Sequence, residues 1–316
     1  MTLARLTRRE ALKLAAAAPV LLKASQAGSE SAPPPPSKTM FLALNSVLVS
    51  GRVPWPDFPR LAAKVGFPGC DVMLASAMKE GVPATNRLFR ELKLKPAAID
   101  FPVEFRKDEA TFKESLPRLE QAAPFAKAIG CPRMVTYIMS SSDTPKDELR
   151  RMYKRRFTEC ARILARSDVR LGLEFLGPLE LRRKFPHEFI WRMDEMLQFA
   201  KECGPNVGLL LDAWHWHHAG ATTQDIIAAG KDRIVHVHFD DAPNLPPEQI
   251  HDNQRLLPGE GVINLVGFLQ ALRKIGYTDA LSVEVFGRGL NKMTPEEAAR
   301  LGYQKSRAVL DKAGIA

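Results

Sequence analysis

From residue 40 onward, two patterns of apolar residues alternate along the chain. Short apolar runs, typical of buried strands, are followed by longer stretches in which apolar residues recur every three or four positions, as in amphipathic helices. The runs predict strands at residues 41–44, 69–74, 96–100, 133–138, 169–175, 207–212, 233–241 and 280–286. The periodic stretches predict helices at residues 58–65, 85–92, 109–129, 146–166, 187–203, 223–230, 264–275 and 295–312, the third interrupted by Pro117 and Pro124.

Eight strands alternating with eight helices predict an α/β fold in which a parallel sheet closes into a (β/α)8 TIM barrel over residues 39–316. A doubly wound open sheet is the alternative. That fold would require a glycine-rich phosphate loop after the first strand, and residues 45–50, Asn-Ser-Val-Leu-Val-Ser, do not form one. The pattern therefore favours the barrel.

The late strands carry ionisable side chains at positions that face the barrel interior. Side chains alternate along a strand, so apolar outward neighbours define the inward positions. In a TIM barrel, chemistry is carried out at the carboxyl ends of the strands. The inward residues at these ends are Glu174, Asp212, His236, His238, Ser282 and Glu284.

A divalent cation accounts for this concentration of charge. An unpaired buried carboxylate costs several kcal/mol, and three of them close together repel one another. The residues Glu174, Asp212, His238 and Glu284 offer three carboxylates and one imidazole, which suit Mn²⁺, Mg²⁺ or Co²⁺ in an octahedral site. Four separately hydrogen-bonded polar residues are the structural alternative.

The motifs around these residues are similar to those of a known family. Leu-Glu174-Phe, Leu-Asp212-Ala-Trp-His215, His236-Val-His238 and Val-Glu284-Val resemble, in this order, the metal-site motifs of the sugar phosphate isomerase/epimerase family of xylose-isomerase-like TIM barrels. The resemblance covers residues 40–312. Within the family, residues 211–217, 258–264, 282–286 and 294–298 resemble the inosose (2-keto-myo-inositol) isomerase group, although Asn264 replaces the usual aspartate and one extra residue precedes Arg288.

The resemblance implies a role for each matching residue. Glu174, Asp212, His238 and Glu284 would bind one divalent metal ion, with Mn²⁺ favoured and Mg²⁺, Co²⁺ or Zn²⁺ as alternatives. Glu174 and Glu284 would also exchange a carbon-bound proton through an enediolate. The predicted substrate-binding residues are His215, His236 and Arg288. For His236, orienting a metal ligand is the alternative role.

Several functions fit these features to different degrees. The predicted function is a metal-dependent isomerase or epimerase of a keto-polyol or sugar, whose partner is a small molecule and not a nucleic acid. A lyase or hydrolase of 3-keto-glycosides would use the same metal and proton chemistry. An abasic-site endonuclease would need three zinc ions and more ligands than the strand ends show, and a metal-free sugar-binding protein would not need four ligands.

The first 38 residues carry signals of a different kind. Arg8-Arg9, the apolar run at residues 14–22 and the small residues at 25–27 predict a twin-arginine signal peptide over residues 1–27, followed by a proline-rich linker over 28–38. The protein would then be periplasmic. The run is too short to span a bilayer core of about 30 Å, so no stable membrane anchor would remain after cleavage. An uncleaved basic amphipathic tail is the alternative.

Net charge and cysteine content bear on two further classes of protein, those that bind nucleic acids and those built on disulfides or zinc. Residues 1–27 hold five basic residues against Glu10, a net +4, which leaves +5 of the whole-chain charge of +9. A mildly basic domain gives little support to a nucleic-acid partner. The four cysteines, Cys70, Cys131, Cys160 and Cys203, form no CxxC pair. Their scatter argues against a disulfide framework or a zinc knuckle.

Overall fold

The computed structural model describes residues 32–33 and 39–315 and confirms the predicted TIM barrel. The strands are β1 (Phe41–Leu44), β2 (Gly69–Val72), β3 (Lys95–Asp100), β4 (Arg133–Ile138), β5 (Ser141–Ser142), β6 (Arg170–Phe175), β7 (His187–Glu188), β8 (Val207–Asp212), β9 (Ile234–His238) and β10 (Ala280–Val283). Eight of them are parallel and form a closed sheet in the order β1-β10-β9-β8-β6-β4-β3-β2. The other two, β5 and β7, form a separate two-stranded antiparallel sheet.

Helices connect successive barrel strands and cover the outside of the sheet. The described α-helices are Asp57–Val65, Leu74–Glu80, Val82–Glu91, Glu109–Ala128, Lys146–Ala165, Leu179–Arg182, Met193–Cys203, Ala213–His218, Thr223–Ala229, Leu265–Lys274 and Pro295–Lys312. None of the helices in this described part is both long and apolar enough to cross a membrane. The predicted signal peptide, residues 1–27, and the predicted linker apart from residues 32 and 33 lie outside the described residues.

The two faces of the barrel strands pack into different cores. Outward residues such as Leu173 and Phe175 of β6 are fully buried in the large core between sheet and helices. The barrel interior is filled by small separate clusters, one of them formed by Ala98, Val135 and Leu210. Because inward and outward positions alternate, Glu174 between Leu173 and Phe175 points into the barrel.

The predicted helix at residues 187–203 is wrong over its first six residues. His187 and Glu188 form β7, which pairs antiparallel with β5, and the helix begins only at Met193. The backbone N–H of Phe189 donates a hydrogen bond of 2.8 Å to the carbonyl oxygen of Ser140. Pairing with a strand distant in sequence therefore determines the conformation of this segment, which local periodicity did not show.

The predicted interruption of the helix at Pro117 and Pro124 is also wrong. Both prolines lie inside the single helix Glu109–Ala128. A proline inside a helix removes a hydrogen bond and costs about 3 kcal/mol. This helix buries a long apolar face that includes Phe112 and Leu119, both fully buried. Tertiary packing keeps the helix continuous despite the cost.

Candidate metal centre

Four side chains that the alternation pattern placed inward converge at the carboxyl ends of the barrel strands. We call Glu174, Asp212, His238 and Glu284 the acidic cluster. Each offers one ligand atom, and these atoms all lie within 4.8 Å of one another. The Nδ1 atom of His238 lies 2.9 Å from Oε2 of Glu284, 3.4 Å from Oε1 of Glu174 and 3.7 Å from Oδ2 of Asp212. The cluster is therefore centred on this imidazole nitrogen.

The strand register explains the convergence. Asp212 of β8 and His238 of β9 are direct neighbours in the register, and His238 is also paired with Ser282 of β10. Glu284 follows β10 by one residue and so extends the inward row that begins at Ser282. Parallel strands that end at one level thus bring together residues that are far apart in sequence.

The donor atoms of the acidic cluster fit a divalent cation. Glu174 Oε1 and His238 Nδ1 are buried, and within the described chain neither forms a hydrogen bond of acceptable geometry. Buried polar atoms are normally hydrogen-bonded, so atoms without a partner require an explanation. Three carboxylates and one imidazole are suitable ligands for Mn²⁺, Mg²⁺, Co²⁺ or Zn²⁺. The role of these four residues as ligands stays a prediction.

Burial and mutual repulsion control the ionisation of the acidic cluster. Burial raises the pKa of Glu174 to about 8, and the nearby Asp212 and Glu284 add to the increase. Burial would lower the pKa of His238, but the negative charge of Glu284 and the proximity of the Asp212 and Glu174 carboxylates raise this pKa well above its ordinary value. Without a cation, protons therefore balance part of the negative charge at neutral pH.

A buried arginine neutralises another part of the negative charge of the acidic cluster. The sequence pattern did not identify it. Arg255 is only 2% exposed and comes from the long loop after β9. Its Nη1 atom lies 2.5 Å from Asp212 Oδ2, 2.7 Å from Asp240 Oδ2 and 3.1 Å from Glu284 Oε2. Burial would raise the pKa of Asp212, but the guanidinium holds it well below its usual value. Asp212 is thus ionised.

The loop that carries Arg255 is fixed by Asp241. The two carboxylate oxygens of Asp241 accept hydrogen bonds from the backbone N–H groups of Ala242, Gly259, Gly261 and Ile263. A Cβ atom at Gly261 would lie 2.1 Å from the carbonyl oxygen of Ala242, so only glycine fits there. Residues 258–264, which the sequence analysis quoted as a family motif, therefore shape the loop that places Arg255.

His215 lies beside Arg255 at the cavity. It belongs to the short helix Ala213–His218, whose N-cap is Asp212. Its Nε2 atom lies 3.0 Å from Nη2 of Arg255, and its Nδ1 atom accepts a hydrogen bond from the N–H of Gly177. Burial lowers the pKa of His215 to about 4, so the ring is neutral at pH 7. Its predicted contact with substrate stays a prediction.

The structure places the two other predicted substrate-binding residues away from the cavity. His236 is fully buried below the acidic cluster, where its Nε2 atom lies 3.0 Å from the hydroxyl oxygen of Ser282. Arg288 lies in the loop after β10, is partly exposed and forms an ion pair of 2.9 Å with Glu260. Neither side chain is part of the cavity lining, which includes the cations Arg255 and Lys184, and their predicted contact with substrate stays a prediction.

Two aspartates of the early strands also went unassigned in the sequence. Asp71 Oδ1 accepts a hydrogen bond of 2.8 Å from Ser282, the residue that also contacts His236. Burial raises the pKa of Asp71 to about 7 and also raises the pKa of Asp100. Both line a small cavity of about 120 Å³ next to the acidic cluster. Their inward positions on the predicted second and third strands were the signal that could have identified them.

A cavity of about 560 Å³ opens above the acidic cluster. Glu174, Glu284, His215 and Arg255 form part of its lining. The apolar part of the lining includes Phe101, Tyr137, Met139 and Leu181, which we call the aromatic wall. The cavity therefore combines charged and apolar lining residues.

Known proteins share this architecture. The family model described as xylose isomerase-like TIM barrel matches residues 51–312. An inosose isomerase of Halalkalibacterium halodurans is 29% identical over 230 residues, which cover 72% of this chain and 79% of the relative. A xylose isomerase domain protein from Alicyclobacillus acidocaldarius superposes with a TM-score of 0.80 and 28% identity over 87% of this chain and 100% of the neighbour.

A third likeness is to the IOLI protein, which was solved with a zinc atom. It superposes with a TM-score of 0.72 and 24% identity over 87% of this chain and 99% of the neighbour. The resemblance that the sequence motifs predicted is confirmed, both for the barrel and for the similarity to inosose isomerases. This chain belongs to the xylose isomerase-like TIM-barrel family.

Proposed function

We propose that this protein is a divalent-metal-dependent isomerase or epimerase of a keto-polyol or keto-sugar, acting through an enediolate. The observation that carries the proposal is the convergence of Glu174, Asp212, His238 and Glu284, two of which, Glu174 and Glu284, line an open cavity. The relative named inosose isomerase supports the reaction class. Small-molecule substrates fit the cavity volume.

The acidic cluster would hold one metal ion. Oxygen-rich ligand sets favour Mn²⁺, while Mg²⁺, Co²⁺ and Zn²⁺ are compatible with three carboxylates and one imidazole. Zinc in the structure of the IOLI protein is consistent with such a site in this fold. A bound cation would stabilise the negative charge that develops on substrate oxygens when a proton leaves the adjacent carbon.

Glu174 and Glu284 are the candidates for moving that proton. Their ligand oxygens lie within 4.8 Å of each other, and both side chains line the cavity. Asp212 is less suited to proton transfer, because Arg255 keeps it ionised.

Arg255 and His215 would position the substrate. Both line the cavity, where the positive charge of the guanidinium would attract hydroxyl or carbonyl oxygens of the substrate. The planar face of Arg255 lies 4.3 Å from the ring centre of Phe286, which restrains its orientation. In this proposal Arg255 takes the place that the sequence analysis gave to Arg288.

The decisive experiment measures exchange of the carbon-bound proton of a keto-inositol or ketohexose with deuterium from the solvent. Glu284→Gln keeps the size and one ligand oxygen but removes the base, so we expect exchange to fall about 10²–10⁴-fold. Glu174→Gln should show a similar loss. Metal content is measured in parallel, and high substrate concentration separates weak binding from lost chemistry. Wild-type exchange by both metal-loaded variants would contradict the assignment.

We also propose that the protein is exported to the periplasm, on the sequence of residues 1–27 alone. Fused to a reporter that requires twin-arginine transport, these residues should deliver it to the periplasm. The double variant Arg8→Lys with Arg9→Lys should block delivery. Export of the double variant at the wild-type level would refute the signal assignment.

A further inference from the structure

The cavity above the acidic cluster is larger than one sugar ring requires. Its volume is about 560 Å³. It lies within the range of about 300–1,000 Å³ that is typical of pockets for drug-sized ligands. A six-carbon keto-polyol has only about twelve non-hydrogen atoms. Part of the cavity would therefore stay unfilled by such a ring alone.

The aromatic wall is the part of the cavity lining whose chemistry differs most from that of the acidic cluster. Tyr137 of β4 is the direct register neighbour of Glu174 of β6, so both side chains point into the same barrel mouth. Tyr137 nevertheless has no role in the proposed proton transfer. It is 45% exposed, one of the large apolar residues most open to solvent in the described chain. An exposed aromatic ring inside a cavity is a surface available to a ligand.

The ring of Tyr137 packs against the side chain of Arg106. The guanidinium of Arg106 lies 4.1 Å from the ring centre of Tyr137 and 4.2 Å from the ring centre of the buried Phe105. Arg106 also donates a hydrogen bond to the carbonyl oxygen of Tyr137. The aromatic surface is thus fixed before any ligand arrives, which lowers the entropy cost of stacking a flat group on it.

We propose that the aromatic wall is a second subsite that binds an aryl substituent attached to the polyol whose oxygens face the acidic cluster. The substrate class is then an aryl glycoside or aryl ether of a keto-sugar, not a free monosaccharide. The proposal rests on the proposed function for the position of the polyol. Its own evidence is the unfilled volume, the apolar lining and the fixed, exposed Tyr137.

The test compares ligands that differ only in the substituent. Methyl β-glucoside and phenyl β-glucoside serve as unreactive stand-ins, and their binding to the metal-loaded protein is measured by calorimetry. We expect the phenyl compound to bind at least about fivefold more tightly. Tyr137→Ala should abolish this preference, and Tyr137→Phe, which keeps the ring, should retain it. Leu245→Ala removes an exposed apolar side chain that does not line the cavity and should change nothing.

Three results would overturn the subsite. The wild type could bind both glucosides equally or not at all, or the preference could survive Tyr137→Ala. A third result is tighter binding of methyl glucuronide than of the phenyl compound, lost in Lys184→Ala, because Lys184 also lines the cavity and would prefer an anionic group. Thermal unfolding of each variant checks that it is folded.

The same experiment separates the subsite from the proposed function. Binding needs no turnover, so the phenyl preference is measurable whether or not the proton exchanges. A phenyl preference combined with normal exchange in both glutamine variants would keep the subsite and reject the acid/base assignment. Loss of exchange in the glutamine variants, combined with equal binding of the two glucosides by the wild type, would keep the acid/base assignment and reject the subsite.

Discussion

The acidic cluster and the aromatic wall occupy equivalent places in the barrel but differ in almost every physical property. Glu174 and Tyr137 are register neighbours on adjacent strands. Glu174 is 6% exposed and its pKa is raised to about 8, whereas Tyr137 is 45% exposed and stacks on Arg106. The barrel therefore sets the position of a side chain, and the residue type, its burial and its neighbours set its chemistry.

The two regions are also held in place differently. The acidic cluster depends on buried charges that balance one another, with Arg255 in contact with Asp212, Asp240 and Glu284. Removing one member leaves the others uncompensated in a low dielectric. The aromatic wall depends on ring packing and one cation over a ring, which are weaker and partly open to water. Substitutions should thus have large effects in the first region and small effects in the second.

The largest effect should follow removal of the buried cation. Arg255→Ala leaves ionised Asp212 without its closest charge partner, so we expect the free energy of unfolding to fall by about 3–5 kcal/mol. Denaturant unfolding of metal-stripped protein measures it. The matched control is Arg288→Ala, which breaks a partly exposed ion pair and should cost less than about 1 kcal/mol. Equal losses in the two variants would show that burial does not control the strength of these contacts.

The second-largest effect should be on metal affinity, which we expect substitutions in the acidic cluster to lower and substitutions in the aromatic wall to leave unchanged. Asp212→Asn replaces a carboxylate of the acidic cluster, and we expect metal affinity to fall more than about 100-fold. His217→Ala on the same short helix, and Tyr137→Ala in the aromatic wall, should bind the wild-type amount of metal. Elemental analysis after equilibration with Mn²⁺ gives the occupancy. A fully loaded Asp212→Asn variant would remove this residue from the ligand set.

The third prediction concerns pH. Because the pKa of Glu174 is raised to about 8, this carboxyl is protonated at neutral pH and must lose its proton to bind a cation. Apparent affinity should therefore fall as pH decreases below 8, by about tenfold per unit for each proton displaced. Above pH 8 this dependence on Glu174 disappears. Competition with a chelator of known affinity measures the curve, and an affinity unchanged between about pH 6 and pH 8 would contradict the protonated cluster.

Tyr137→Ala should leave that pH curve unaltered. Tyr137 lies on the neighbouring strand, but it belongs to neither the ligand set nor the charge network around Arg255. Any shift of the curve in this variant would mean that the aromatic wall and the acidic cluster are coupled electrostatically. The comparison of the two regions would then have to be revised.

The sequence determined the barrel and the four members of the acidic cluster. Alternation along a strand is a local rule, so Glu174 and Asp212 could be assigned inward from their apolar neighbours alone. Closure of eight parallel strands then brings such residues to one end whatever their separation in the chain. The predicted bounds of β1, β4 and β8 agree with the structure for the same reason.

Only the tertiary structure decided which loop residues reach the site. Arg255 and Arg288 both follow late strands in irregular segments, where no periodicity shows direction. The backbone hydrogen bonds to Asp241 turn the first loop inward, and the pair with Glu260 keeps Arg288 outside. His236 shares the inward face with His238 but lies one step deeper, where Ser282 and not the cavity is its neighbour. Depth, loop path and long-range pairing depend on contacts distant in sequence, and local pattern carries no information about them.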